Sequence, residues 1–218
     1  MKNNLAYKSK RIFIISLVVI MGLCLVSCGI NDEQGSTDTD AGSSQDEVSY
    51  CVEIGVSYDT DNSLTIKIEL LPDYAPITVT NFLELVQSGH YDGTIMHRVI
   101  ENACVQGGGY VYDEDYNWIS AGSVDSIYGE FLANGDDNNL SHTAGAISMA
   151  RSSAYDSASD QFFLCPNDVT GWDGYYAVFG YVMDEESLIA IQTLSRVPVD
   201  EENYEPISPV VIDYIKII

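Results

Sequence analysis

Two segments with helical spacing, one early and one late, bracket a long run of short β-rich pieces, and this layout limits the folds open to the chain. The early segment is PITVTNFLELVQSG, residues 76–89. Pro76 stands near its start, Val79, Phe82, Leu83 and Val86 recur at helical spacing, and Gly89 supplies a stop. The late segment, DEESLIAIQTL at 184–194, carries its acids at the N-terminal end, where they complement the helix dipole. Residues 50–57 and 63–71 alternate apolar and polar positions with β-branched side chains, as strands do, and Pro72 and Pro76 punctuate the turn after them. Up to residue 183 the β-rich pieces are separated by Gly, Asn and Asp clusters, and PVVIDYIKII at 209–218 reads as a final strand. With 218 residues, 46% of them hydrophobic, the chain can bury one core and favours one domain. The pattern predicts a mainly β fold with two helices. Either a closed β-barrel or an open α+β sandwich satisfies it.

The N-terminus is set apart from that domain. Lys2, Lys8, Lys10 and Arg11 precede an apolar run from Ile12 to Val26, about 15 residues long. A membrane-spanning helix needs roughly 20, so residues 1–27 read as a secretory signal peptide. The run ends in Leu25-Val26-Ser27-Cys28, which resembles the bacterial lipoprotein cleavage box. Cys28 is therefore the expected lipidation site, and the expected state is anchored to a cell membrane rather than spanning it, outside the cytoplasm. Residues 29–47 carry six acids and no base, a composition that cannot bury enough surface to order itself. With Cys28 they form a tether, residues 28–47, of roughly 25 Å r.m.s. reach. The folded domain is then residues 48–218.

Removal of residues 1–27 leaves five of the nine basic residues against 33 acids, a formal balance of −28. Nucleic acid and anionic lipid head groups are poor partners for such a surface. After Cys28 only Cys51, Cys104 and Cys165 remain, without CxxC or His/Cys ligand spacing, so free or buried thiols are expected and no metal site is. His90 and His142 read as turn or core residues. The acid-rich stretches at 113–117 and 134–139 lack calcium-loop spacing and read as solvated loops.

The chemistry-bearing stretch is MHRVIENACVQGGG, residues 96–109, taken with SDQFFLC at 159–165. It offers an arginine, an amide, a glycine run and a phenylalanine, with no obvious nucleophile, acid–base pair or metal set. Such a site suits holding a peptide and polarising it without breaking it.

In order along the chain, TVTNFLELVQSGHYDGTIMHRVI (78–100), VQGG (105–108), SIYGEF (126–131), LSHTAGAISMAR (140–151), SDQFFLC (159–165) and GYYAVFGYV (174–182) resemble the cyclophilin family of peptidyl-prolyl isomerases. The resemblance covers roughly residues 50–218. It implies a closed eight-stranded antiparallel β-barrel capped by two α-helices, a monomer with no cofactor, and proline-containing polypeptides as substrates. Arg98 matches the family's catalytic arginine. Amide resonance slows rotation about an Xaa-Pro bond, and an arginine donor aimed at the proline nitrogen favours the non-conjugated, twisted transition state without a covalent step. Gln106 matches the glutamine that bonds the substrate backbone, and Phe163 matches the wall of the proline pocket, with Phe162 alternating to the opposite face of its strand. Ala150, Arg151 and Ser152 match the edge along which an extended peptide lies, and Gln161 belongs to the same substrate-binding set. Trp172 falls at an apolar pocket position, and Tyr176 where many members carry His. His97 is expected to support the arginine strand by hydrogen bonding.

One part of the pattern departs from the family. Where familiar cyclophilins carry a Pro-Gly turn followed by Phe and Met, this chain has Glu101, Asn102, Ala103 and Cys104. Ala103 and Cys104 are therefore expected to thin the floor of the proline pocket. Burial of a Phe-sized side chain contributes roughly 1.5–3 kcal/mol, so losing part of it would cost on the order of tenfold to a hundredfold in kcat/KM. The expected function is a lipid-anchored isomerase of exported proteins with reduced activity. The alternative is a non-catalytic proline-peptide binding module or holdase chaperone.

Overall fold

The structure, a computed structural model, describes residues 50–59 and 61–218. The signal peptide, Cys28 and the tether lie outside the described residues. Ten strands and two α-helices follow one another as β1 (Cys51–Tyr58), β2 (Asn62–Leu70), α1 (Pro76–Gln87), β3 (Arg98–Ile100), β4 (Cys104–Gly107), β5 (Tyr110–Tyr112), β6 (Trp118–Ser120), β7 (Ala146–Met149), β8 (Phe162–Leu164), β9 (Val178–Val182), α2 (Glu185–Leu194) and β10 (Val210–Ile217). Eight strands form one antiparallel sheet in the order β10-β1-β2-β9-β7-β8-β4-β3, and β5 and β6 form a separate hairpin.

The sheet curls through 245° and stops, a half-barrel rather than the closed barrel expected. The reason is visible at its edges. β3 is three residues long and pairs only with β4, so no ladder joins it to β10. The approach to β3 reaches β10 instead: Met96 N–H donates to Val210 O at 2.9 Å, and Ile212 N–H donates to Thr94 O at 2.8 Å. A single bridge, Ile95 to Val211, spans the gap.

Inside the curl lies the main core. Phe82 of α1 is fully buried and meets Tyr91, Phe162 and Phe179 with ring centroids 5.2, 5.7 and 5.2 Å away. The Phe162 ring stands edge-on to Phe82 and the other two are tilted, so ring–ring attraction adds to the burial itself. Ala190, Ile191 and Leu194 of α2 enter the same cluster. α2 begins as its acids predict: Asp184 is the N-cap, and its carboxylate accepts from Ser187 N–H at 2.8 Å.

α1 is capped differently. Ala75 offers no side-chain acceptor, and Pro76 lacks an N–H. Buried Glu130, distant in sequence, fills the role. It accepts from Ile77 N–H at 2.9 Å, Thr78 N–H at 2.7 Å and Thr78 Oγ1 at 2.7 Å. The 134–139 stretch is likewise more than a solvated loop. Asn138 is buried there, and its Nδ2 donates to Glu130 O and Val178 O.

Period-two alternation sorts the strands onto two faces. Val99, Val105, Ile147, Phe162 and Leu164 point into the main core, while Cys104, Ala146, Phe163 and Cys165 join a second cluster on the other face. All three described cysteines are free.

Candidate active site

The second face carries a cross-strand row. Register places Arg98 opposite Gln106, Gln106 opposite Phe163, and Phe163 opposite Ser148, across β3, β4, β8 and β7. Arg98 Nη1 lies 3.4 Å from Gln106 Oε1 and 3.8 Å from Cys104 Sγ. Gln106 Nε2 donates to Gln161 Oε1 at 3.1 Å. No carboxylate lies within ion-pair reach of Arg98 among the described residues. Its charge is held by neutral groups and remains available to a ligand.

Beside this row opens a cavity of about 340 Å³, lined by Arg98, Cys104, Gln106, Ala150, Arg151, Phe163, Trp172 and Tyr176. A second hollow of about 300 Å³ adjoins it, lined by Gln106, Ala150, Arg151, Ser152, Ser157, Ser159 and Gln161. Every site residue expected from the sequence in the described region lines one of the two, except Ala103. That residue sits half-buried in the 101–103 turn, its N–H bonded to Ile100 O at 3.0 Å. Cys104, not Ala103, lines the cavity. Burial raises its thiol pKa, and the Arg98 charge opposes that rise.

Phe163 is held from three sides. Trp172 and Tyr176 meet it edge-on, with centroids 5.4 and 5.7 Å away, and His142 stacks parallel to it at 5.8 Å. His142 is fully buried, as expected of a core residue. Its Nδ1 lies 2.9 Å from Asp173 Oδ1 and its Nε2 lies 3.1 Å from Ser148 Oγ. An ionised carboxylate only accepts, so Nδ1 donates and Nε2 accepts the serine hydroxyl proton. Burial keeps the His142 pKa below its ordinary value despite the pull of Asp173. No sequence pattern announces this backing to the aromatic wall. Asp173 is far from His142 in sequence, and nothing local links them.

The glycine run is a packing device. A Cβ on Gly107 would lie 2.5 Å from Met96 Sδ and 2.8 Å from Ile95 O. Gly108 has φ +96°, and a Cβ there would lie 2.9 Å from Asp160 O. His97 supports β3 chiefly by ring contacts, with the Ile95 backbone beside it as a hydrogen-bonding group. It meets Tyr110 and Trp118 edge-on at 4.8 and 5.6 Å, and its Nδ1 is buried without a partner.

Comparison with known proteins agrees with this geometry. The family described as cyclophilin type peptidyl-prolyl cis-trans isomerase/CLD matches residues 55–217. A Streptomyces antibioticus peptidyl-prolyl cis-trans isomerase is 36% identical over 164 residues, 70% of this chain and 92% of that protein. Peptidyl-prolyl cis-trans isomerase A of Dickeya dadantii is 34% identical over 165 residues, covering 73% and 82% of the two chains. Among solved structures, a Cryptosporidium parvum cyclophilin-type isomerase, determined in the presence of the dipeptide Ala-Pro, superposes with a TM-score of 0.59 at 29% identity. It covers 77% of this chain and 98% of its own. Family match, relatives and site geometry together place the chain in the cyclophilin-type peptidyl-prolyl cis-trans isomerase family, and it is an enzyme of that class.

Proposed function

We propose that this isomerase acts on Xaa-Pro bonds of exported polypeptides, working outside the cytoplasm from a lipid anchor at Cys28, and that Arg98 assists rotation without covalent chemistry. The observation that carries the mechanism is the guanidinium of Arg98, without a carboxylate partner among the described residues and placed opposite Gln106 at the rim of an aromatic-walled cavity. A proline ring seated against Phe163 puts its nitrogen within reach of that donor. As the C–N bond twists, the nitrogen lone pair leaves conjugation and accepts a hydrogen bond that the planar amide cannot. Arg98 thus stabilises the transition state more than the ground state, which is the condition for acceleration.

Gln106 and the 150–152 edge hold the peptide main chain. Cys104 makes a shallow floor, so the rate is expected to fall below that of a relative with a bulky residue there. The Ala-Pro dipeptide present with the Cryptosporidium protein supports proline peptides as ligands here. Relatives named as isomerases favour catalysis over the binding-module alternative. The extracytoplasmic setting rests on the sequence of residues 1–47.

The decisive experiment is cis/trans exchange of an Xaa-Pro peptide followed by NMR. Wild type should accelerate exchange and Arg98→Ala should lose at least about a hundredfold of that acceleration. Equal rates for both, at the uncatalysed value, would remove the mechanism. For the anchor, mass spectrometry of the mature N-terminus should show an acylated Cys28, and Cys28→Ala should abolish that modification.

A further inference from the structure

Only five basic residues follow residue 27, and two of them, Arg98 and Arg151, line the same cavity. Lys67 and Lys216 are paired with Asp184 and Glu53. Arg151 has no carboxylate partner among the described residues. Its guanidinium carbon lies 4.7 Å from the Tyr176 ring centroid, 5.0 Å from Tyr155 and 5.1 Å from Phe131. Its Nε and Nη2 donate to Tyr175 O at 3.0 and 2.8 Å, and Nη1 donates to Ser152 O at 2.9 Å. Those bonds engage three of the five guanidinium N–H groups and leave two for an incoming acceptor. The side chain is fixed before any ligand arrives, so little entropy remains to be lost on binding.

Arg151 also stands where the two hollows meet. The second hollow presents Ser152, Ser157 and Ser159 hydroxyls and the Gln106 and Gln161 amides, with no carboxylate in its lining. Asp160, next to Ser159, is not in that lining: it lines a third hollow that shares Ser159 and Gln161 with the second, its Oδ2 lies 3.1 Å from His90 Nε2, and its Oδ1 accepts from Ser159 Oγ at 2.9 Å. An extended peptide turns every second side chain to the same face. With proline in the first hollow, a side chain two residues away enters the second.

Building on the isomerase reading above, we infer that Arg151 makes this site selective for proline peptides bearing a carboxylate side chain, Asp or Glu, two residues from the proline. The acidic surface of the domain repels such peptides at long range. Selectivity therefore depends on position, not on net charge.

The test uses blocked peptides of one composition, each with a single proline and a single Glu placed two or three residues from it, on either side. Dissociation constants come from NMR titration of the wild-type protein, Arg151→Gln and Arg151→Lys. Wild type should bind one of the two-residue peptides about three- to fivefold more tightly than its three-residue counterpart, the size of a partly screened ion pair. Arg151→Gln should erase that ratio and Arg151→Lys should keep part of it. Because each ratio is taken within one protein, a general loss of affinity does not disturb it. Equal affinities in wild type, no measurable binding, or an unchanged ratio in Arg151→Gln would overturn the inference. Exchange rates of a neutral Ala-Pro peptide, recorded on the same samples, report separately on the isomerase reading.

Discussion

Arg98 and Gln106 face each other across β3 and β4, with Arg98 Nη1 3.4 Å from Gln106 Oε1. The contact is long for a hydrogen bond between such groups. Gln106 is itself tied to Gln161 through its Nε2. The amide therefore orients the guanidinium without neutralising it. A carboxylate in the same place would do the opposite.

Gln106→Glu should set a negative charge beside Arg98 and hold the guanidinium in an ion pair. The expected result is at least a tenfold fall in kcat/KM, with the larger part in kcat, because the donor is withdrawn from the transition state. Gln106→Ala should act more on KM, since it removes a substrate contact and leaves the charge free. Steady-state or exchange kinetics on one peptide separate the two patterns. Equal effects on kcat from both variants would contradict this reading of Gln106.

Cys104 rather than Ala103 lines the proline cavity, which makes the two positions distinguishable. Cys104→Ala should deepen the hollow and weaken proline-peptide binding by roughly two- to fivefold, the share of a small apolar contact. Cys104→Met should tighten binding, because an unbranched thioether fills an irregular gap. Both are read by peptide titration. If neither variant shifts the dissociation constant, the cavity beside Cys104 does not receive the proline.

Much of this architecture was legible because it is local. Pro76 and Asp184 mark the starts of both helices, and alternation alone separates Phe162 from Phe163. The site row was legible only through the family resemblance, since Arg98, Gln106 and Phe163 lie on three strands and converge by register. What escaped is long-range. Whether the sheet closes depends on how residues 93–96 meet residues 210–212, which no window of sequence contains. The Glu130 cap and the His142–Asp173 pair escaped for the same reason. Ala103 and Cys104 are adjacent, and only the backbone turn at 101–103 decides which of them reaches the cavity.

The Glu130 cap makes a stability prediction. Three donors at the start of α1 converge on one buried carboxylate, and a negative charge there also complements the helix dipole. Glu130→Ala leaves Ile77 N–H, Thr78 N–H and the Thr78 hydroxyl without their acceptor. The expected loss is about 2–3 kcal/mol in urea unfolding, with a smaller loss for Glu130→Gln, which keeps one acceptor oxygen. A change within 0.5 kcal/mol, roughly the scatter of surface substitutions, would mean that water replaces the carboxylate without penalty.

His97 predicts how the fold responds to acid. Burial pushes its pKa down from 6.5 to about 4, so the folded protein keeps the ring neutral where an unfolded chain would protonate it. Above about pH 6.5 both states are neutral and the residue adds no pH dependence. Below that, the unfolded state binds a proton that the folded state refuses, and stability falls until pH reaches about 4, where the folded protein protonates as well. The slope is about 1.4 kcal/mol per pH unit, or about 2 kcal/mol lost by pH 5. His97→Phe keeps an aromatic ring between Tyr110 and Trp118 and removes the titrating group along with its unpartnered Nδ1. Carboxylates titrate in the same window in both proteins, so the difference between them isolates the histidine. Urea midpoints at pH 7 and pH 5 should show the variant gaining on wild type by about that amount as the pH falls. A constant difference would mean that the ring of His97 is solvated in the folded protein and that β3 is less tightly covered by the β5–β6 hairpin than the ring contacts imply.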